Sequence, residues 1–152
     1  DEAMHFVLLT RHLRELGAAY GDLPAHDGLW EAAEATRHDV AARLAVVPMV
    51  LEARGLDVTP ATIERVSAAG DEIGTRILKR ILDDEIRHVG FGSKHFAACA
   101  QWRGDSPEIL WKSLVASHFR GSVKPPFNDS ARAAAGLSRQ MYAEVAMPSR
   151  AG

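Results

Sequence analysis

Apolar residues return every three to four positions along most of this chain, a period that predicts helices. Over residues 1–17, Glu2, His5 or Phe6, Leu9, Leu13 and Leu16 share a stripe, and Gly17 suits its end. The stretch from Tyr20 to Gly28 reads as a loop through its Gly, Pro and Asp content. Helical pattern resumes near Leu29 and runs to Arg54, with Val40, Leu44, Val47 and Leu51 on one stripe. Gly55 is its expected stop, and Pro48 predicts a kink about one turn before Glu52. Thr59 as cap and Pro60 at the first position open a short helix to about Ala69. Asp71 then caps a long helix from Glu72 to about Trp102, with Ile73, Ile77, Ile81, Glu85, His88 and Gly92 along one face. After the turn Arg103-Gly104-Asp105, Ser106-Pro107 opens a helix to about Arg120. Pro125 and Pro126 hold the following stretch extended, and a last helix is expected from Ser130 to Ala146, ending before Pro148. No segment alternates as a strand does. The expected class is all-α, with residues 1–152 forming one helical domain.

The 152 residues suffice for a domain with a core of its own, and 47% hydrophobic with 25% charged is a globular balance. A net charge of −2, with no Lys/Arg run longer than two, argues against a dedicated nucleic-acid or anionic-membrane surface. No apolar stretch approaches a membrane span, and the start carries no signal-peptide pattern. Cys99 is the sole cysteine, which excludes an internal disulfide and a cysteine-based zinc site. A reducing cytoplasm is the expected location. The first residue is Asp1 rather than Met, inside an expected helix, so a fragment or processed product of a longer chain is expected.

Two segments share one pattern. Asp1-Glu2-Ala3-Met4-His5 and Asp84-Glu85-Ile86-Arg87-His88 are each Asp-Glu-x-x-His on an expected helix. Spacing of three puts Glu and His on one helical face, able to serve one metal region together. Two such helices, with single Glu residues from two others, form the ligand plan of di-iron and di-manganese carboxylate bundles. Glu52, in the apolar run Val46–Ala53, is the natural single carboxylate. Bridging carboxylates hold two cations close and offset their repulsion, while imidazole nitrogens leave open positions on them. A thiolate-free N/O set suits iron or manganese. The bland alternative, in which Glu2 and Glu85 only solvate helix faces, leaves charged groups on apolar stripes without partners. His12, His38, His95 and His118 read as surface or packing histidines, and His26 as a loop cap. Asp1 and Asp84 are either acceptors behind the ligand histidines or exposed neighbours. Arg54, Arg80 and Arg87 read as ion-pair partners.

With these motifs, the runs Tyr20–His26, Leu51–Asp57 and Lys124-Pro125-Pro126-Phe127-Asn128 resemble the ferritin-like family called domain of unknown function 455. The resemblance spans nearly the whole chain. It implies a ferritin-like helical bundle with extra C-terminal helices, and metal ligands at Glu2, His5, Glu52, Glu85 and His88. It is similar at a distance to the di-iron tRNA hydroxylase of the same superfamily. The family plan also calls for an earlier helix carrying another Glu. Glu15 does not replace it, lying about 15 Å further along its helix than His5. The bundle is therefore expected to be truncated at its start, with an apolar groove where that helix belongs. A second copy covering the groove would make a homodimer.

The functional expectation is an oxygen-activating, hydroxylase-like oxidoreductase with two iron ions, manganese being the alternative metal. Its substrate is an unidentified small molecule, with RNA a minor branch because no basic stripe is present. The alternative is a metal-binding or non-catalytic helical module whose site is incomplete.

Overall fold

The computed structural model describes residues 1–145, and these form an all-α helical bundle. The helices are α1 (Glu2–Glu15), α2 (Gly28–Ala35), α3 (Val40–Val46), α4 (Ala53–Ala68), α5 (Glu72–Arg103), α6 (Pro107–His118), α7 (Asp129–Ala134) and α8 (Arg139–Ala143). A π-helical turn, Val47–Glu52, joins α3 to α4 without a loop. At 1.5 Å per residue, the 32 residues of α5 extend about 48 Å, and most other elements are referred to it. α4 returns along α5 as a hairpin whose turn uses Gly70 at φ +78°. α3 lies between α5 and α6, and α1 packs on α5 from outside.

Why the long helix begins and ends where it does is plain from its caps. Asp71 accepts the Gly74 amide at 2.8 Å, and Gly104 closes the other end in the left-handed conformation. Among the described residues no helix is long and apolar enough to cross a membrane. The core joins Met49, Val50 and Leu56 to Val89 and Phe96 of α5, Trp111 and Val115 of α6, and Met141 and Tyr142 of α8. Trp111 reaches across it to donate its indole N–H to the Ala45 carbonyl at 3.2 Å.

The structure departs from the sequence reading in four places. The helix expected from Leu29 to Arg54 breaks at residues 36–39, where Asp39 accepts the amides of Ala41 and Ala42 and so starts a new helix. Gly55 does not stop a helix and Thr59-Pro60 does not start one. Both lie inside α4, where the Leu56 carbonyl, which an amide at Pro60 would have met, accepts instead from the Asn128 side chain at 3.2 Å. Two stripes are rotated from expectation: Val40 and Ile73 are exposed, and the small residues Ala41, Ala42 and Ala45 are buried instead. Alanine at that face lets α3 approach α5 and α6 closely, a signal weaker in the sequence than large aliphatics. The last helix divides into α7 and α8 around Gly136 at φ +76°, a conformation that ends α7. Ala146 and Pro148, where its end was expected, lie outside the described residues.

The kink expected at Pro48 takes the form of the π-helical turn. Proline offers no amide to the turn before it, and the bonding register slips, with the Ala53 amide meeting the Pro48 carbonyl five residues back. One extra residue in a turn rotates everything beyond it by about 100° relative to an uninterrupted helix. Pro48 itself is buried against Gly92 of α5, where even a β-carbon would come within 2.5 Å of the proline ring.

Candidate metal centre

α1 runs antiparallel to α5, so the two Asp-Glu-x-x-His motifs meet face to face. The register is fixed near the start of α1 by Asp1 with His88, and near its end by His12 with Asp71. Inside this crossing, Glu2, His5 and Glu85 bring ligand atoms within 4.8 Å of one another. His88 joins them, with Nδ1 at 2.9 Å from Glu2 and 3.6 Å from Glu85. His5 Nδ1 lies 3.4 Å from the other Glu2 oxygen, and the two imidazole centres are 5.8 Å apart.

Each motif holds the other's histidine. His5 Nε2 donates to Asp84 at 3.0 Å, and His88 Nε2 donates to Asp1 at 3.2 Å. A ring whose Nε2–H is given to a carboxylate keeps its lone pair on Nδ1, and both Nδ1 atoms point toward the glutamates. Asp84 is fully buried and also accepts from Arg80 at 2.9 Å and from Arg87. The His5 hydrogen bond, then the arginines, overcome burial and hold the Asp84 carboxyl at about 2.

The glutamates are in the opposite condition. Burial, and next the charge of Glu2, push the Glu85 carboxyl above its ordinary value. Burial and the charge of Glu85 do the same to Glu52, with Glu2 adding to it. Glu52 thus shares the field of the cluster, delivered by the π-helical turn, although the close triad is Glu2, His5 and Glu85. Glu85 Oε2 is buried without a hydrogen-bond partner among the described residues. An orphaned buried carboxylate oxygen, two inward imidazole lone pairs and mutually repelling carboxylates are the donor set a divalent cation satisfies. The residues present fit a metal. Toward solvent the cluster is open: the Glu2 side chain is 72% exposed, against 17% for Glu85.

Sequence reasoning did not anticipate two features around this centre. His12 pairs with Asp71 at 2.7 Å and fastens the far end of α1 to the cap of α5, a role its position gave no hint of. A second lock lies beyond Glu52, where Asp57 accepts from Nε and one terminal nitrogen of the Arg132 guanidinium at 2.8 and 2.7 Å, both residues buried. Arg132 is flanked by the Phe127 and Tyr142 rings at 5.0 and 4.6 Å. Asn128 donates to Asp57 and to the Leu56 carbonyl, while Arg54 donates to the carbonyls of Lys124 and Pro126. The runs Leu51–Asp57 and Lys124–Asn128 are therefore one structural clasp beside the candidate ligand Glu52.

A protein from Haemophilus influenzae, described as uncharacterized, is 42% identical over 139 residues, which is 91% of this chain and 48% of that relative. The chain thus spans about half the length of the relative it matches. No solved structure matches it. The family model "Protein of unknown function (DUF455)" matches residues 1–143, a stretch that takes in both Asp-Glu-x-x-His motifs, Glu52 and the Asp57–Arg132 clasp. On these two matches, the chain belongs to the DUF455 family.

Proposed function

We propose that this chain binds two divalent transition-metal ions, iron with manganese as the alternative, at Glu2, His5, Glu52, Glu85 and His88, and serves oxygen-dependent oxidation of a substrate. One observation carries the reading: two histidines held from behind by buried or half-buried aspartates aim Nδ1 at a carboxylate cluster containing an orphaned oxygen. Bound ferrous ions would supply the electrons with which dioxygen is reduced and a substrate oxidised. The chain's own residues do the rest. The three glutamates would offset the cationic charge, and His5 and His88 would supply nitrogen donors. Asp84, anchored by Arg80 and Arg87, fixes the His5 ring. The exposed flank at Glu2 leaves room for a substrate to approach.

A second reading, metal binding at an incomplete site without catalysis, is favoured by that same exposure of Glu2. Metal content tells the two apart. The chain is reduced, loaded anaerobically with ferrous iron and analysed beside a Glu85→Ala control. The di-metal reading expects about two irons per chain, lost in the control, and an oxygen-dependent optical change on admitting air. About one iron and no optical change would support the second reading. No iron in either protein would remove both.

A further inference from the structure

α2 buries none of its residues, although five of its eight are Leu, Trp or Ala. The break at residues 36–39 separates it from α3 in the chain, and a groove of about 1080 Å³ lies between it and the end of α6. The floor is Leu51 of the π-helical turn. One rim carries Leu29 and Trp30, whose indole is 71% exposed, and the other carries His118, Phe119 and Arg120. His38 and His118 bridge the rims with ring centres 5.4 Å apart.

Two rings at this groove are seated on glycines. A β-carbon on Gly28 would meet the His26 ring at 2.2 Å, and one on Gly121 the Phe119 ring at 2.5 Å. His26 Nδ1 accepts the Gly28 amide at 2.9 Å, so the proton of the neutral ring sits on Nε2, a donor at the groove's edge. The charges are arranged unevenly. Arg37 is closed onto Glu34 at 2.6 Å, and Glu31 sits in the first turn of α2, where the helix dipole offsets it. Arg120 is exposed on the opposite rim and is in no ion pair among the described residues. The groove therefore offers flat apolar faces on one side, and on the other a guanidinium beside the His38–His118 pair.

We propose that this groove is a binding site for a small planar ring bearing an acid group, the ring lying against Trp30 and Leu29 and the acid meeting Arg120 and the His38–His118 pair. An aromatic face and an apolar floor take up the ring, and the uncompensated guanidinium supplies a charge-assisted hydrogen bond to the acid. The site goes beyond the metal centre and needs no metal.

The metal-free chain is titrated with 2-naphthoate and followed by the three tryptophan indole N–H signals in a nitrogen–proton correlation spectrum. Trp102 is the internal control, because it is 84% exposed but lies outside the groove. The Trp30 signal should move saturably while those of Trp102 and Trp111 hold still. Neutral 2-naphthylmethanol should bind about tenfold more weakly, and Arg120→Gln should weaken naphthoate by about the same factor. Both Trp30 and Arg120 are exposed, so neither substitution threatens folding, and Trp30→Ala, followed by the His38 and His118 ring protons, should abolish saturable binding. The proposal is overturned if Trp102 moves together with Trp30, if the neutral alcohol binds as tightly as naphthoate, or if Arg120→Gln leaves affinity unchanged.

Discussion

His5 and His88 are gripped in the same way from opposite helices, and the grips differ in strength. Asp84 is buried with two arginines behind it, whereas Asp1 is half exposed. Asp84→Asn should therefore lower affinity for ferrous or manganous ion by about 10- to 100-fold, as losses of such supporting acceptors do, while Asp1→Asn should cost less. A chelator-competition titration reads both, and equal losses would contradict the ranking. His12 lends itself to a test by pH. Its hydrogen bond to Asp71 raises it from 6.5, and the same bond lowers Asp71 from 3.8. A raised histidine contributes fully below 6.5 and loses its contribution as pH rises through its folded value. A lowered carboxylate contributes above 3.8 and loses its contribution as pH falls through its own folded value. The Tm difference between the wild-type chain and His12→Ala should thus be greatest between 3.8 and 6.5 and shrink on either side. A difference that stays constant on alkalinisation would remove the pair from the account of stability. Of the residue-scale chemistry, the ligand candidates were readable because Glu and His three apart announce a shared face. The link from His12 to Asp71 was not readable, since it depends on the antiparallel register of two helices 59 positions apart in sequence.

Among the elements, α5 carries a built-in comparison of glycines. A β-carbon at Gly90 would sit 3.7 Å from the Ala135 backbone, an ordinary contact, whereas at Gly92 it would fall 2.5 Å from the rigid ring of Pro48. Gly92→Ala should lose about 1–3 kcal/mol through overpacking, and Gly90→Ala should be neutral or gain. Gly55 has open space around it inside α4, so Gly55→Ala should gain about 0.5–1 kcal/mol. Urea unfolding of the three variants checks the set, and a loss at Gly55 would mean that the helix does stop there. The reason this was misread from sequence is local: glycine and proline within five residues of each other resemble punctuation. Packing of α4 along α5 overrides that weak preference. The cap at Asp71 and the stop at Gly104 were readable because each is a short-range event involving its own neighbours. Pro48 announced a disturbance but not its form. Whether a proline bends a helix or shifts its register depends on what it packs against, and here that is Gly92 of another helix.

At the scale of the molecule, the buried Asp57–Arg132 pair ties α7 to α4, the helix that follows directly on the turn delivering Glu52. Removing one partner strands the other's charge, so Asp57→Ala or Arg132→Ala should each cost about 3–5 kcal/mol, with the double substitution to Leu and Met recovering much of it. Denaturant midpoints measure this, and a small loss for the single substitutions would mean that the pair is not sealed from water. The all-α class was legible because periodicity accumulates over long segments. The clasp was visible only as two unexplained motifs, since nothing in either run names the other as its partner. α1 stands apart from this scaffold. Its only buried residue is His5, and polar clasps near its two ends hold it to α5. Its detachment therefore exposes little apolar surface and requires far less free energy than unfolding the bundle. In hydrogen exchange, amides of α1 should open by local fluctuation while those of mid-α5 wait for global unfolding. Manganese that links Glu2 to Glu85 should slow exchange throughout α1 and leave α8 unaltered. Ion release would then follow the undocking of one helix, and the lifetime of the loaded state would be set by the rate of that motion.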